Sequence, residues 1–379
     1  MIDRILINRI QTRLNDNKTI ILLGPRQVGK TTFLHSMIGE ENLSKTLWLS
    51  GDEPDIRNRF SSISSTQLKQ LIGIAHTVVI DEAQRIPNIG VTIKLITDQL
   101  KGIKVIATGS SALELANNIN EPLTGRKWEF TMFPLSTEEL CKHYGVLNEK
   151  RMLSHRLVYG NYPEIVTNPG SEQERLIQLA NNYLYKDVLS IDRVLKPEKL
   201  ERLLQALALQ MGNEISYHEL ALLTGLDSET VEKYIRLLEK TFIIFRLHSL
   251  SRNLRNELKK SRKVYFYDNG IRNAVINQFQ PIALRQDIGA LWENFMVSER
   301  MKYLHYNGIS VNRYFWRTHA QQEIDYLEEK DGKFNAFEFK WNTHRKAKFS
   351  KSFTAAYEVD NLNVVTPENY CDFLIPQTN

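Results

Sequence analysis

The chain has 379 residues, of which 42% are apolar and 25% charged, and its formal net charge is +5. The length exceeds one ordinary core, so two or three domains are expected, and the composition fits a soluble globular protein and argues against disorder. A charge this small does not by itself imply a nucleic-acid partner, although local basic clusters could.

The opening MIDRILINRI carries charges inside each short apolar run and does not read as a secretory signal. No stretch approaches the roughly 20 apolar residues that cross a bilayer, so no membrane role is expected. Cys141 and Cys371 lie far apart in no ligand-like spacing. Neither a disulfide framework nor a zinc site is predicted, and a cytoplasmic setting is the expectation. Residues 19 to about 133 alternate apolar strands with helical stretches. The strands are Thr19–Leu23, Thr46–Leu49, Thr77–Ile80, Ile103–Ala107 and Lys127–Met132. Such alternation predicts an α/β fold with a parallel sheet covered by helices. From Ser136 to Val194 the pattern is helical, punctuated by Gly160, Pro163, Pro169 and Gly170. Three helical segments from Lys199 precede an apolar strand, Thr241–Leu247, and basic residues crowd positions 246–263. From about Val264 the chain reads as a separate α/β unit.

Gly24-Pro25-Arg26-Gln27-Val28-Gly29-Lys30-Thr31, followed by Thr32, fits G-x-x-x-x-G-K-[ST] between the strand TIILL and a helix. Its glycines let backbone N–H groups point inward at phosphate oxygens, and the helix start adds its dipole. Lys30 is expected to neutralise the β- and γ-phosphates of ATP, and the Thr31 hydroxyl to ligate Mg²⁺. The strand Thr77–Ile80 runs into Asp81 and Glu82. Asp81 is assigned to the Mg²⁺ shell and Glu82 to polarising the attacking water. The strand ending Ala107-Thr108-Gly109-Ser110-Ser111 offers hydroxyls that sense the γ-phosphate or cap the next helix.

These elements, GPRQVGKTT, VVIDEAQ and ATGSSALEL, resemble the AAA+ superfamily of ATPases over roughly residues 1–195. The resemblance implies that the sensor strand lies between the P-loop strand and the Asp-Glu strand, with Thr108 or Ser110 facing the γ-phosphate. It makes Arg126, in Leu123-Thr124-Gly125-Arg126, a candidate arginine finger; a plain surface arginine is the other reading. ATP or ADP is the implied ligand, and homo-oligomerisation is left open.

Ser216-Tyr217-His218-Glu219 matches a capping box, and Thr224-Gly225-Leu226 is a short turn before a second helix, Glu229 to about Lys240. The pair reads as helix-turn-helix with the following strand opening a wing. Lys233, Arg236 and Lys240 share a face of the second helix. With Arg246, Arg252, Arg255, Lys259, Lys260, Arg262 and Lys263 they form a surface suited to double-stranded DNA or another nucleic acid, or a solvated loop beside a packing module.

Asp331-Gly332 is a hairpin signal between the strands Glu323–Glu328 and Phe334–Trp341. Counting back, Asp325 falls opposite Glu338 and Glu323 opposite Lys340, all on one face; Ile324, Tyr326, Phe337 and Phe339 form the other. The facing carboxylates repel, which a divalent cation held by Asp325 and Glu338 would relieve. Lys340 would act on a water or a developing charge, and Glu293 on an earlier helix could join as a ligand. A solvated face with cross-strand ion pairs is the competing reading.

Asp325, Glu338-Phe339-Lys340 and Glu293 resemble the D…E-x-K signature of PD-(D/E)xK nucleases. The order of helix 288–303, strands 312–316, 323–328 and 334–341, helix 345–358 and strand 362–366 is similar too. With YFYDNGIRN, WENFMVSE and FWRTHAQQEIDYL, nearly the whole chain resembles a prokaryotic ATPase family ending in a domain of unknown function. The expectation is a P-loop NTPase sheet of AAA+ type with a helical lid (1–197), a winged helix (198–262) and a restriction-endonuclease-like α/β domain (263–379). The nuclease-like domain is expected either to process DNA or to be an inactive scaffold in a nucleotide-gated, protein-interaction switch.

Overall fold

A computed structural model describes residues 1–60, 63–110, 123–191, 197–250, 262–318, 320–343 and 349–376, side chains of 182–191 apart. Five parallel strands form the first sheet in the order β2-β3-β4-β1-β5. They are β1 (Thr19–Leu23), β2 (Thr46–Ser50), β3 (Thr77–Asp81), β4 (Lys104–Gly109) and β5 (Lys127–Thr131). β1 is buried at every position because helices cover both faces of the sheet. Ile20 and Leu22 enter one core, and Ile21 and Leu23 enter the other with Val78, Ile80 and Ala107. β4 lies between β1 and β3, as expected.

Helices Thr137–Tyr144, Val146–Tyr159, Pro163–Thr167 and Glu172–Ile191 follow β5. The first starts at a complete capping box between Ser136 and Glu139. Helices Pro197–Leu209, Tyr217–Thr224 and Ser228–Lys240 come next. Gly225 takes a left-handed conformation at the short turn, and Asp227 caps the third helix by accepting from the Thr230 N–H. The strand expected from Thr241 begins only at Ile244. Thr241 still closes the helix, and Phe242, at φ 60°, turns the chain.

A second sheet of seven strands runs β12-β11-β10-β9-β7-β8-β6. Its members are β6 (Glu214–Ile215), β7 (Ile244–Ser249), β8 (Arg262–Phe266), β9 (Asn312–Arg317), β10 (Glu323–Lys330), β11 (Lys333–Phe339) and β12 (Val359–Val365). β7 pairs antiparallel with β8 and parallel with β9, so β7 and β8 and the C-terminal strands are one sheet. β8 itself straddles position 262/263. The helix Ile288–Tyr306 packs on this sheet, and one core runs from Ile20 and Leu22 of β1 through Leu203 and Leu207 to Trp292 and Phe295. The helix expected over 345–358 spans Lys351–Ala356, and positions 345–348 lie outside the described residues. Among the described residues no helix is long and apolar enough to cross a membrane.

Candidate nucleotide site and carboxylate cluster

The P-loop leaves β1 at its C-terminal end. The Gly24 N–H donates to the Gly109 carbonyl at 3.2 Å, which anchors the loop to the tip of β4. A Cβ on Gly24 would stand 2.1 Å from the Met132 carbonyl oxygen, so only glycine lets the loop pass so close to the end of β5. Gln27 and Gly29 take positive φ, and the helix Lys30–Ile38 starts directly after. Lys30 is buried, and its ammonium donates to the Gly24 and Pro25 carbonyls at 2.8 and 2.9 Å. The Thr31 hydroxyl donates to Oδ2 of Asp81 at 2.8 Å. The buried Thr108 hydroxyl donates to Oδ1 of the same carboxylate and accepts from the Glu82 N–H at 3.1 Å. The end of β4 and the first turn of the helix after the P-loop therefore converge on the carboxylate at the end of β3.

Glu82 sits in a left-handed conformation at φ 47°. Gln84 donates to its Oε2 at 2.5 Å and to the Ser110 hydroxyl at 3.1 Å, while Ser110 donates to the same Oε2 at 3.3 Å. Gln84 is thus a residue that motif reading missed; it lies in the single 3-10 turn Ala83–Arg85, whose direction only the folded sheet sets. Ser111 lies outside the described residues.

A cleft of about 560 Å³ borders Val28, Gly29 and Thr32. Its walls include Ile2, Ile5, Phe33, Leu135 and Pro163, so the first residues of the chain form one side of it. Arg4 holds that segment in place. It pairs with Glu139 at 3.1 Å and donates to the Tyr306 hydroxyl at 3.2 Å. Burial works against its charge, but Glu139 and Tyr306 keep its pKa above the ordinary value. No local motif marks Met1–Asn8; the burial of Arg4 is what identifies the segment.

Arg126 is not brought to this site. Its carbonyl accepts from the Thr19 N–H, at the start of β1, and its side chain pairs with Asp98 at 2.8 Å. That is the opposite edge of the sheet from the P-loop, about 13 Å away along a five-residue strand. Spacing along the chain could not show it, because the direction of β5 is decided by its parallel pairing with β1.

In the C-terminal hairpin Lys330 pairs with Lys333, as Asp-Gly requires. The regular ladder ends at Tyr326 opposite Phe337. A bulge against β9 lies between Ile324 and Leu327 and reverses the sides of the residues before it. Ile324 therefore joins Trp316, Leu327, Phe334 and Phe353, not the face of Tyr326, Phe337 and Phe339. Asp325 accepts from the Phe339 N–H at 2.8 Å. The Lys340 ammonium lies 3.3 Å from Asp325 Oδ2 and 2.6 Å from Glu338 Oε2. The Lys340 ammonium thus sets a positive charge beside both carboxylates. Among the described residues no three His, Cys, Asp or Glu are grouped to hold a metal ion.

Glu293 belongs to the same cluster, but through Lys263 and Tyr265 of β8. Lys263 pairs with Glu293 at 2.9 Å and with Glu323 at 2.6 Å, and the Tyr265 hydroxyl donates to Glu293 at 2.6 Å. Glu323 thus meets Lys263, not Lys340. Burial, and then the charge of Asp325 opposed by Lys340, push the Glu338 carboxyl up to about 7. Burial likewise raises Glu293, against the pull of Lys263. Lys263 is held charged against its burial by Glu293, Glu323 and Asp325. The sequence placed Lys263 in an exposed basic run, yet it is only 2% exposed. Arg246 also turns inward, pairing with Glu239 at 2.5 Å, and Arg262 stacks over Tyr217. Arg236 pairs with Glu232 on the helix surface. Arg252, Arg255, Lys259 and Lys260 lie outside the described residues.

Residues 16–141 match the AAA domain; residues 150–281 match a domain of unknown function (DUF8612) and 288–374 another (DUF4143). An uncharacterized protein of Mycobacterium tuberculosis is 24% identical over 337 residues, covering 88% of this chain and 72% of that protein. An uncharacterized protein of Methanocaldococcus jannaschii is 23% identical over 389 residues, covering 95% and 84%. Among solved structures, ORC1 of Aeropyrum pernix in complex with DNA is 12% identical over 72% of this chain and 91% of that one, with a TM-score of 0.34. AMPPCP-bound DnaA from Aquifex aeolicus is 16% identical over 62% and 86%, with a TM-score of 0.30. The stretch that matches the AAA domain, residues 16–141, is the one that carries the P-loop and the five parallel strands.

Proposed function

We propose that this chain binds ATP at the P-loop and hydrolyses it, and that it acts on nucleic acid through its C-terminal half. The observation that carries the first part is the convergence of Thr31 and Thr108 on Asp81 beside the buried Lys30. Lys30 already spans the loop, so its ammonium needs only to exchange carbonyl partners for phosphate oxygens. The Thr31 hydroxyl and the Asp81 carboxylate, 2.8 Å apart, have the oxygen chemistry that holds Mg²⁺. Mg²⁺, when bound, neutralises phosphate charge. The cleft lined by Ile2, Ile5, Phe33 and Leu135 has the apolar walls that suit an adenine ring. Glu82 serves as the base that polarises water, and Ser110 and Gln84 orient its carboxylate.

A phosphate-release assay on the purified chain tests this. Glu82→Gln is expected to bind ATP as well as wild type and to lower turnover by about 100-fold. Equal rates would remove Glu82 as the base, and absence of ATP binding in the wild type would end the reading.

On this reading the helix Ser228–Lys240 with β7 and β8 is taken as a winged helix, with Lys233, Arg236 and Lys240 as its reach towards phosphates. Salt-dependent duplex binding that weakens when these three are neutralised supports it. The cluster of Glu293, Asp325, Glu338 and Lys340 is the part of the C-terminal unit that fits nuclease chemistry. Cleavage abolished by Asp325→Ala is the result this reading expects. The Lys340 bridge between Asp325 and Glu338 favours a second reading, in which the unit is an inactive scaffold of a nucleotide-gated switch. Wild type and Asp325→Ala equally inert on duplex and single-stranded substrates would select it.

A further inference from the structure

Arg4 is the point where distant parts of the chain meet. Its Nη1 donates to the Val28 carbonyl of the P-loop at 3.5 Å, and its Nη2 donates to the Phe133 carbonyl just after β5. Nη2 also donates to the hydroxyl of Tyr306, the last residue of the helix Ile288–Tyr306, at 3.2 Å. Nε lies 3.1 Å from the Glu139 carboxylate, on the helix Thr137–Tyr144. The two are close but not in line, so the buried Nε–H has no acceptor. A buried donor left unpaired is costly. This one sits in the wall of the cleft beside Val28 and Gly29.

We propose that Arg4 couples occupancy of this cleft to the position of the helix Ile288–Tyr306, and through that helix to the carboxylate cluster. The proposal rests on the reading of the cleft as the nucleotide pocket. When Lys30 leaves the Gly24 and Pro25 carbonyls for phosphate, the backbone that presents Val28 to Arg4 changes its bonds. A ligand lying between Ile2, Ile5 and Phe33 bears on the segment that carries Arg4. Either shift re-aims a guanidinium whose bonding is already incomplete, and Tyr306 is the partner that belongs to a distant element.

The helix is suited to pass the shift on. It is buried along most of its length, from Leu291 to Tyr306, so it moves as a body. Glu293 stands 13 positions before Tyr306, about 20 Å along the axis. There it holds Lys263 at 2.9 Å and the Tyr265 hydroxyl at 2.6 Å. Arg300, between the two ends, holds Glu328 of β10 at 2.7 Å. A displacement of the helix therefore reaches both β8 and β10. Its ties to the Thr131 N–H, the Leu135 carbonyl and the Thr137 N–H involve no P-loop group and act as the pivot.

Hydrogen exchange read by mass spectrometry on the full chain tests the coupling, with and without a β,γ-methylene analogue of ATP and Mg²⁺. In the wild type the analogue is expected to slow exchange in P-loop peptides and, together with them, in peptides covering 288–306 and β8. Tyr306→Phe keeps the ring and removes the hydroxyl. The analogue should still protect its P-loop, while the response at 288–306 and β8 is lost. Should Tyr306→Phe fail to fold, Arg4→Lys serves the same purpose, because one ammonium keeps the charge beside Glu139 but cannot reach Val28, Phe133 and Tyr306 together. P-loop protection with no response at 288–306 in the wild type overturns the relay. An equal response there in wild type and variant does so too. No protection at the wild-type P-loop removes the nucleotide reading and this proposal with it, so the two failures are told apart.

Discussion

The backbone N–H of Thr131, at the end of β5, donates to Nε2 of His305, 174 residues later, at 3.1 Å. One turn of chain further, the Phe133 N–H donates to the Tyr306 hydroxyl at 2.9 Å. The helix that carries Glu293 near its start therefore grips, near its end, the strand beside the P-loop. Glu299 and Lys302 extend the grip, since Glu299 accepts from the Thr137 N–H at 2.6 Å and Lys302 donates to the Leu135 carbonyl at 3.2 Å.

His305 makes this contact as a neutral ring, because Nε2 is the acceptor. Burial and the nearby Arg9 charge lower it from 6.5 to about 4. The unfolded chain takes up a proton near 6.5 and the folded chain only near 4. Stability from this group is thus present above about 6.5 and lost as pH falls towards about 4, by at most about 3 kcal/mol. Urea unfolding at neutral and mildly acidic pH checks it. His305→Gln should lose part of the acid dependence of the wild type; an unchanged slope would refute the assignment.

Lys30→Ala is expected to abolish detectable ATP binding, read by titration calorimetry. Thr31→Ala should bind ATP but lose the dependence of affinity on added Mg²⁺. The two variants differ because Lys30 contacts the loop carbonyls and Thr31 contacts Asp81. Identical losses in both would mean that the loop had simply unfolded, which circular dichroism would reveal.

Gly51 tests the placement of Glu82. Its N–H donates to the Asp81 carbonyl at 2.8 Å, and a Cβ there would stand 2.3 Å from the Glu82 carbonyl oxygen. Gly51→Ala must move one backbone or the other, at a cost of about 1–3 kcal/mol. Phosphate release is expected to fall while ATP affinity changes little, since the P-loop itself is untouched. Wild-type turnover in this variant would show that the Glu82 position is not demanding.

Lys263 neutralises Glu293 and Glu323 from inside the protein, 2% exposed. Lys263→Met leaves two carboxylates facing each other and Asp325 without that ammonium. The expected loss is about 3 kcal/mol or more, measured by urea unfolding. Adding Glu293→Gln should recover part of it. A single variant as stable as wild type would show that the cluster rearranges freely.

The local parts of this protein were legible in its sequence. The P-loop, the Asp81-Glu82 strand end and the Asp-Gly hairpin each depend on residues within a few positions of one another, through turn chemistry and the period of a strand. The same holds for Ser216 as a cap, because a cap contacts an N–H only three residues away. Tertiary structure decided the rest. A bulge of one residue moved Ile324 to the other side of its strand. Parallel pairing carried Arg126 to the edge away from the P-loop, and the joining of β8 to the C-terminal sheet buried Lys263 among carboxylates. Long-range packing sets these positions, and short-range periodicity carries no information about which distant elements will meet.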